Sequence, residues 1–400
     1  MSLIHANYCK PVVIPYTGFL DKSNVDRVQS MTPNINLNRD AIRECGSTRV
    51  VEYHDRIPEL SYSLNQLEYG SIETFTQFAN QTAVTTKVEL TDFASAAFDL
   101  VLFDSDQNGT FKGTRWYPQL RTTGFSINIS SPDDLIERNW NLTGEDRKLL
   151  QGANQYLIYE KDEPSPGSNV DITLSATPVQ NPDSSGTYML RVQRVNGTTT
   201  TDLTVTTDYS LSGSTLTILT VASGDKIKSW YSCGSYISGE DYWTDNDADP
   251  GGLDGQCALI ELYDGTNKRL YKLQSVSCDV SFERFDVKEI GTSTIVDRGN
   301  KDTDVKVTLG KVLDDYTIDE ILREGGTDYG ILDAREFGTN FDLIIKIYQT
   351  KAQSTFLMGY RFTDMAVSNI DESIPVNDII NEGITLTGKT GFVSTQIGDF

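Results

Sequence analysis

The chain repeats itself. VQSMTPNINLNRDAIRECGSTRVV, starting at Val28, lines up with LQSVSCDVSFERFDVKEIGTSTIV, starting at Leu273, at an offset of 245 and without a gap. Gln29, Ser30, Arg39, Glu44, Gly46 and Val51 recur as Gln274, Ser275, Arg284, Glu289, Gly291 and Val296. ELSYSL at Glu59–Leu64 falls on DVKVTL at Asp304–Leu309, FDLVLF at Phe98 on FDLIIK at Phe341, and PDDLIERNWNLTG at Pro132 on VNDIINEGITLTG at Val376. The offset stays at 243–245 throughout. Several matches in one order at one offset mean two homologous units, and such repeats constrain a fold before any local reading does.

Both copies alternate apolar and polar residues, as in Asn34-Ile35-Asn36-Leu37-Asn38 and Asp279-Val280-Ser281-Phe282-Glu283. A period of two predicts strands with one buried and one wet face. The charged stretch Ala41–Arg56 reads as an excursion between two strands, and Asn108-Gly109 as a hairpin turn. Short helices are expected at Ser71–Phe75, at Thr317–Ile321 and from Ser131 through Leu135 and Ile136, the last with a cap, a first-position proline and acids in its first turn. The fold class is therefore mainly β: two homologous β-sandwich or barrel units with short flanking helices, plus an inserted module.

That module is residues 149–255, rich in Thr, Ser, Gly and Asp, with no counterpart in either copy. LRVQRV, DLTVT, STLTIL and DKIKSWY read as strands separated by turn dipeptides, a pattern of an immunoglobulin-like sandwich without the Cys…Trp…Cys spacing. The organisation is an N-terminal arm 1–10, a first copy 11–148, the module with an acidic exit loop 149–255, a second copy 256–393 and a tail 394–400.

Chemistry-bearing patterns are sparse. His5 and His54 are the whole histidine content, and the formal charge is -23, which counts against tight phosphate binding. No Walker, GxGxxG, HExxH or GxSxG pattern occurs, so no catalytic residue and no cofactor is expected, and an enzyme is the weakest class. Asp245, Asp247 and Asp249 open like a calcium loop, but Pro250 stands where glycine is needed and Gln256 at the twelfth position, which leaves a weak calcium candidate. Asp104-x-Asp106-x-Asn108 mimics the same opening but reads as a hairpin turn. The five cysteines lack CxxC spacing, so reduced thiols are expected. No apolar run is long enough to span a membrane, and MSLIHANYCKPVVIPY does not read as a secretory signal.

NINLNRDAIRECGSTRVVEYHDRIPELSYSL with SIETF, and its second copy with TIDEI, resemble the tail tube (major tail) proteins of tailed phages; the Thr-rich module resembles the decoration domains of such virion proteins. The resemblance implies rings stacked into a tube, with inner strands joining across subunits into a barrel. Most family members carry one tube unit per chain and form hexamers; two units per chain imply a homotrimer with pseudo-sixfold symmetry, six chains being the competing count. Partners would be the chain itself, other tail proteins and genomic DNA passing without tight binding; the location would be the virion tail, after synthesis in the host cytoplasm. Lumen-facing candidates are Asn34, Asn36, Asn38, Glu59, Ser61 and Ser63 in copy one and Asp279, Ser281, Glu283, Asp304 and Thr308 in copy two, with Lys306 an exception. Excursions 40–58 and 285–303, the arm and the tail 390–400 are expected to be ring-to-ring contacts. Alternatives are a terminator-like tail component and a carbohydrate-binding surface protein using Trp230, Tyr231, Tyr236, Tyr242 and Trp243.

Overall fold

A computed structural model of the chain describes residues 4–37, 39–43, 50–55, 58–79, 86–93, 96–106, 108, 110–180, 188–235, 252–263, 265, 267–287, 297–312, 339–374 and 380–400. The first copy holds β1 (Ile4–Pro15), β2 (Ser23–Asn24), β3 (Val28–Asn36), β4 (Arg39–Arg43), β5 (Val50–Asp55), β6 (Glu59–Leu67), α1 (Glu73–Phe78), β7 (Lys87–Glu89), β8 (Phe98–Asp106), β9 (Phe111–Ile129), β10 (Glu137–Gly144) and β11 (Lys148–Leu150). The middle holds β12 (Tyr156–Asp162), β13 (Gly167–Thr173), β14 (Met189–Asn196), β15 (Thr199–Asp202), β16 (Tyr209–Ser212), β17 (Thr215–Val221) and β18 (Lys226–Cys233). The second copy holds β19 (Ala258–Tyr263), β20 (Asn267–Arg269), β21 (Leu273–Val287), β22 (Asp297–Val312), β23 (Thr339–Tyr348), β24 (Phe356–Ser373), β25 (Asn381–Gly388) and β26 (Thr390–Ser394). The protein is mainly β.

The strand pairing of one copy repeats in the other. One antiparallel layer runs β3–β6–β10–β9 and continues without a break into β21–β22–β25–β24. Behind it lie two shorter layers, β2–β1–β8–β9–β11 and β20–β19–β23–β24–β26. Tyr62, Leu64, Trp140, Val307, Leu309 and Leu386 lie in the shared apolar core. No pairing among the described residues closes a barrel.

β9 and β24 each serve both layers, and the transition is made the same way. Gln119 and Asp364, 245 apart, both take left-handed backbone, with φ of 53° and 54°. Such a conformation costs about 1 kcal/mol or more for a side-chain-bearing residue unless its surroundings hold it. The holding group is the aspartate of each FDL: the Gln119 amide donates to Asp99 Oδ1 at 2.9 Å and the Asp364 amide to Asp342 Oδ1 at 3.3 Å. Past the bend, Thr123 donates to the Asn141 carbonyl and Ser368 to the equivalent Thr385 carbonyl, each at 3.1 Å beside a bulge. Arg27 and Lys272, again 245 apart, are left-handed just ahead of β3 and β21.

The middle strands form two sheets of their own, β12–β18–β14–β15 and β13–β17–β16. Asn196-Gly197 and Ser212-Gly213 make the expected hairpins, with both glycines left-handed. Of DLTVT only Asp202 is in a strand; Asp208 closes a turn there, its carboxylate accepting from the Thr204 amide at 2.8 Å and its amide donating to the Thr204 carbonyl.

Three expectations need correction. Residues 131–136 are a turn, not a helix: the Ser131 cap forms, with the Asp134 amide on its hydroxyl at 3.2 Å, but Ile136 donates to the Leu253 carbonyl and Gly255 to the Asp134 carbonyl. Pairing with the chain segment re-entering from the module wins over helix propensity. Residues 4–10 are not an arm but the start of β1, paired with β8. Residues 394–400 do not stand apart from copy two, because Ser394 belongs to β26, which pairs with β24, and the Phe400 ring packs on Phe356 and Phe392. The helix expected at Ser71 is α1, with the Ser71 hydroxyl accepting from the Glu73 amide at 3.2 Å. Its counterpart at 317–321 lies outside the described residues.

Candidate assembly interface

The continuous layer has one apolar and one polar face. Asn34, Asn36, Glu59, Ser61, Ser63, Asp279, Ser281, Glu283 and Asp304 are all exposed on the polar face, and Thr308 is half-buried there. Their neighbours in the alternation, such as Leu60, Tyr62, Val280 and Val305, are buried. Asn38 lies outside the described residues. The register sets Asn34 opposite Ser61, Asn36 opposite Glu59, Ser281 opposite Asp304 and Asp279 opposite Lys306. Glu283 meets Lys301 at 2.8 Å, and that hydrogen bond and charge hold its carboxyl below the ordinary glutamate range. Sequence reasoning missed other members of the face: Ser126 and Asn128 on β9, Asn139 and Asn141 on β10, Asn369 and Asp371 on β24, Thr385 on β25. The whole surface is neutral amides and hydroxyls with interspersed acids and few bases.

The two copies meet at a seam where β9 pairs with β21, from Val276 opposite Ile129 to Ser281 opposite Gly124. On the polar side the Ser277 hydroxyl donates to Asn128 Oδ1 at 2.7 Å across it. On the apolar side Phe93 stacks on Phe282 with centroids 5.5 Å apart, and Phe75 of α1 sits edge-on to Phe125, Trp140 and Tyr360. Arg138 and Glu68 of copy one form a fully buried ion pair, and the Tyr360 hydroxyl of copy two donates to the same Glu68 oxygen at 2.5 Å. Burial alone would raise the Glu68 carboxyl; the Arg138 guanidinium, Tyr360 and the Gly70 amide outweigh it and hold the group below its ordinary range. Burying such a pair is costly unless the remaining polar atoms find partners: Glu68 Oε1 accepts from the Tyr69 and Gly70 amides, while the Arg138 Nε has none among the described residues. Arg284 adds a clamp, donating to the Thr122 and Phe93 carbonyls, the latter at 2.8 Å.

Among the described residues the layer ends in two free edges, β3 and the distal half of β24. In the repeat β3 is the equivalent of β21, and the distal half of β24 is the equivalent of the distal half of β9: the edges are the two halves of the internal seam, separated. Leu37 is 50% exposed where its equivalent Phe282 is 2% exposed, and Ile374 is 68% exposed where Ile129 is 5%. Among the described residues the hairpin β4–β5 pairs only within itself, and β21–β22 extends to Val287 opposite Asp297. Both hairpins carry exposed apolar side chains, Ile42 and Tyr53 on one, Phe285 and Val287 on the other.

The module is seated on copy one through a common core in which Val12, Ile14, Val101, Phe103 and Trp116 join Leu157, Ile158, Val192 and Trp230. Asp99 anchors the junction, pairing with Arg191 at 2.7 Å and accepting from Trp116 Nε1 at 3.0 Å. Lys228 donates to the Tyr16 carbonyl at 2.6 Å, and burial pushes its ammonium down to about 7. Trp230 and Tyr231 are wholly buried, so they are core residues and not the glycan platform entertained from the sequence; Tyr236, Tyr242 and Trp243 lie outside the described residues.

Of the calcium candidates, Asp245, Asp247 and Asp249 lie outside the described residues. Asp104 pairs with Arg115 at 2.6 Å, and Asp106 pairs with Lys112 at 3.0 Å while accepting from the Asn108 and Thr110 amides, which makes it a hairpin residue. Among the described residues no group of three or more His, Cys, Asp or Glu is placed to hold a metal ion, and no helix is long and apolar enough to cross a membrane. Cys9, Cys233, Cys257 and Cys278 are free thiols.

No family model and no curated protein matches the sequence. Among solved structures, the chain is similar to one in the sheath–tube complex of the extracellular contractile injection system PVC in its extended state, at 15% identity and a TM-score of 0.27, over 36% of this chain and 92% of that one. It is also similar to the tube-terminating cap of the anti-feeding prophage, at 14% identity and a TM-score of 0.28, over 38% of this chain and 100% of that one.

Proposed function

We propose that the protein is a structural, non-catalytic tube subunit of a phage-tail-type machine, and that three copies close a ring by pairing β24 of one with β3 of the next. The observation that carries this reading is the split seam: residues buried where β9 meets β21 have equivalents left exposed at both free edges. An unpaired strand with exposed apolar neighbours is a template for another strand. The internal register transfers directly, setting Ile370 opposite Ile35, Asp371 opposite Asn34, Asn369 opposite Asn36 and Ile374 opposite Met31. Three such joints turn the continuous layer into a closed barrel with its polar face inward.

A conduit lined with amides, hydroxyls and acids suits passage of a polyanion, because phosphate finds hydration there without a fixed counter-charge. The hairpins at 39–55 and 283–300 are the contacts between stacked rings in this reading, and the module decorates the outside.

Native mass spectrometry tests the count, since each chain weighs 44.5 kDa. Expected are three-chain rings, and covalent trimers when Asn34→Cys is combined with Asp371→Cys and oxidised. Monomers at every concentration would sink the assembly reading; rings of six full-length chains would sink the trimer.

A further inference from the structure

β11 occupies in copy one the place of β26 in copy two. Lys148, Leu149 and Leu150 stand opposite Trp116, Arg115 and Thr114, as Phe392, Val393 and Ser394 stand opposite the equivalent Arg361, Tyr360 and Gly359. The two strands differ in what lies on their other edge. β26 is completed by β7 of the other copy, Val393 opposite Val88 and Phe392 opposite Glu89, with the Lys87 ammonium 3.8 Å above the Phe392 ring. β11 has β9 as its one strand neighbour among the described residues. Val393 is accordingly 1% exposed, whereas Leu149 is 56% exposed.

We infer that the open edge of β11 is completed by a strand from a second copy of this chain, so that the joint between chains has two layers and not one. This rests on the ring reading above. The occupant follows from which edges travel together. Copy two presents β21 and β26 to copy one, and both are covered there, by β9 and β7. Their equivalents in copy one are β3 and β11, so the neighbour that pairs with β3 also stands against β11. Leu149 holds the register position of Val393, which β7 covers at the internal seam. The outer layer of each ring then runs from chain to chain, as the inner one does.

Hydrogen exchange on the unmodified chain, below and above the concentration at which rings form, tests this. Amides of residues 148–150 should slow by about tenfold or more on assembly. Leu149→Lys, at an exposed site, should leave the melting of unassembled chain unchanged and raise the half-assembly concentration by about tenfold, the loss expected for one buried leucine. Rings in which 148–150 exchange at the unassembled rate, or a Leu149→Lys chain that assembles at the unmodified concentration, overturn the second layer and leave the ring standing. A chain that forms no rings overturns both.

Discussion

At the internal seam Cys278 and Ile127 face each other across the backbone pairing, and both are buried. At the free edges the equivalent residues are Pro33 and Glu372, which the transferred register also sets face to face. Proline on an edge withholds a backbone donor, and a charge on the apolar side of an edge strand resists pairing until the right partner arrives. The same division holds at Phe282 against Leu37 and at Phe125 against Ile370, while Ile129 and its equivalent Ile374 are the same residue. A joint that never opens, because both halves sit in one chain, can be dry and aromatic. The joint proposed between chains would also have to leave each chain separate beforehand, and Pro33 and Glu372 suit that.

The strongest way to break the comparison is at the buried pair. Arg138→Met leaves Glu68 uncompensated in the core and should cost about 3–5 kcal/mol in urea unfolding, most of it recovered when Glu68→Gln is added. A loss within the error of the measurement would mean that the internal seam is not held by that pair. Leu37→Lys or Ile374→Lys should do the opposite: unfolding of the unassembled chain should stay within about 0.5 kcal/mol of the original, while assembly followed by light scattering weakens by about 1.5–3 kcal/mol. Equal effects on folding and assembly would erase the distinction between the two joints.

The module's seat gives a third interface to set beside these. Lys228 is lowered to about 7 in the folded state, so above that pH the unfolded chain holds one proton more than the folded one. Stability of the module should therefore rise with pH from about 7 until the ordinary lysine value near 10.4, by at most about 1.4 kcal/mol per unit. Lys228→Met should flatten that part of a melting-against-pH curve; an unchanged slope would exclude the lysine as its source. The smallest effect is expected from Glu372→Ile, which makes the outer joint more like the inner one. Rings should persist to a few-fold lower concentration, about 1 kcal/mol, and analytical ultracentrifugation would expose the opposite outcome.

Much of the layer was legible in the sequence because alternation is a local signal. Asn34, Glu59, Asp279 and Asp304 sit on strands that serve one layer only, and their period of two is unbroken. Ser126 and Asp371 were missed because β9 and β24 change layers midway, and the bend and bulge there shift the alternation. The helix expected at 131–136 failed because the Leu253 carbonyl takes the Ile136 amide and the Gly255 and Gln256 amides take the Asp134 and Pro132 carbonyls, all far along the chain. Nothing in the sequence singles out Glu68 and Arg138; they are buried by Gln66, Phe75 and Trp140 of copy one together with Met358 and Tyr360 of copy two. The constant offset announced the duplication, yet the pairing of β9 with β21 is long-range and leaves no trace in composition. The aspartate of each FDL motif did carry a message, since both hold a left-handed bend.

Those bends have a mechanical meaning. At Gln119 and Asp364 one polypeptide passes from a shorter layer to the continuous one without a loop between. A tug on the module, seated over Trp116, enters β9 and travels along covalent bonds into the polar wall. Strands loaded along their length must shear many hydrogen bonds together before anything slides, so the wall and the outer face move as one piece. Side-chain packing alone, between two layers free to slip, offers no such beam.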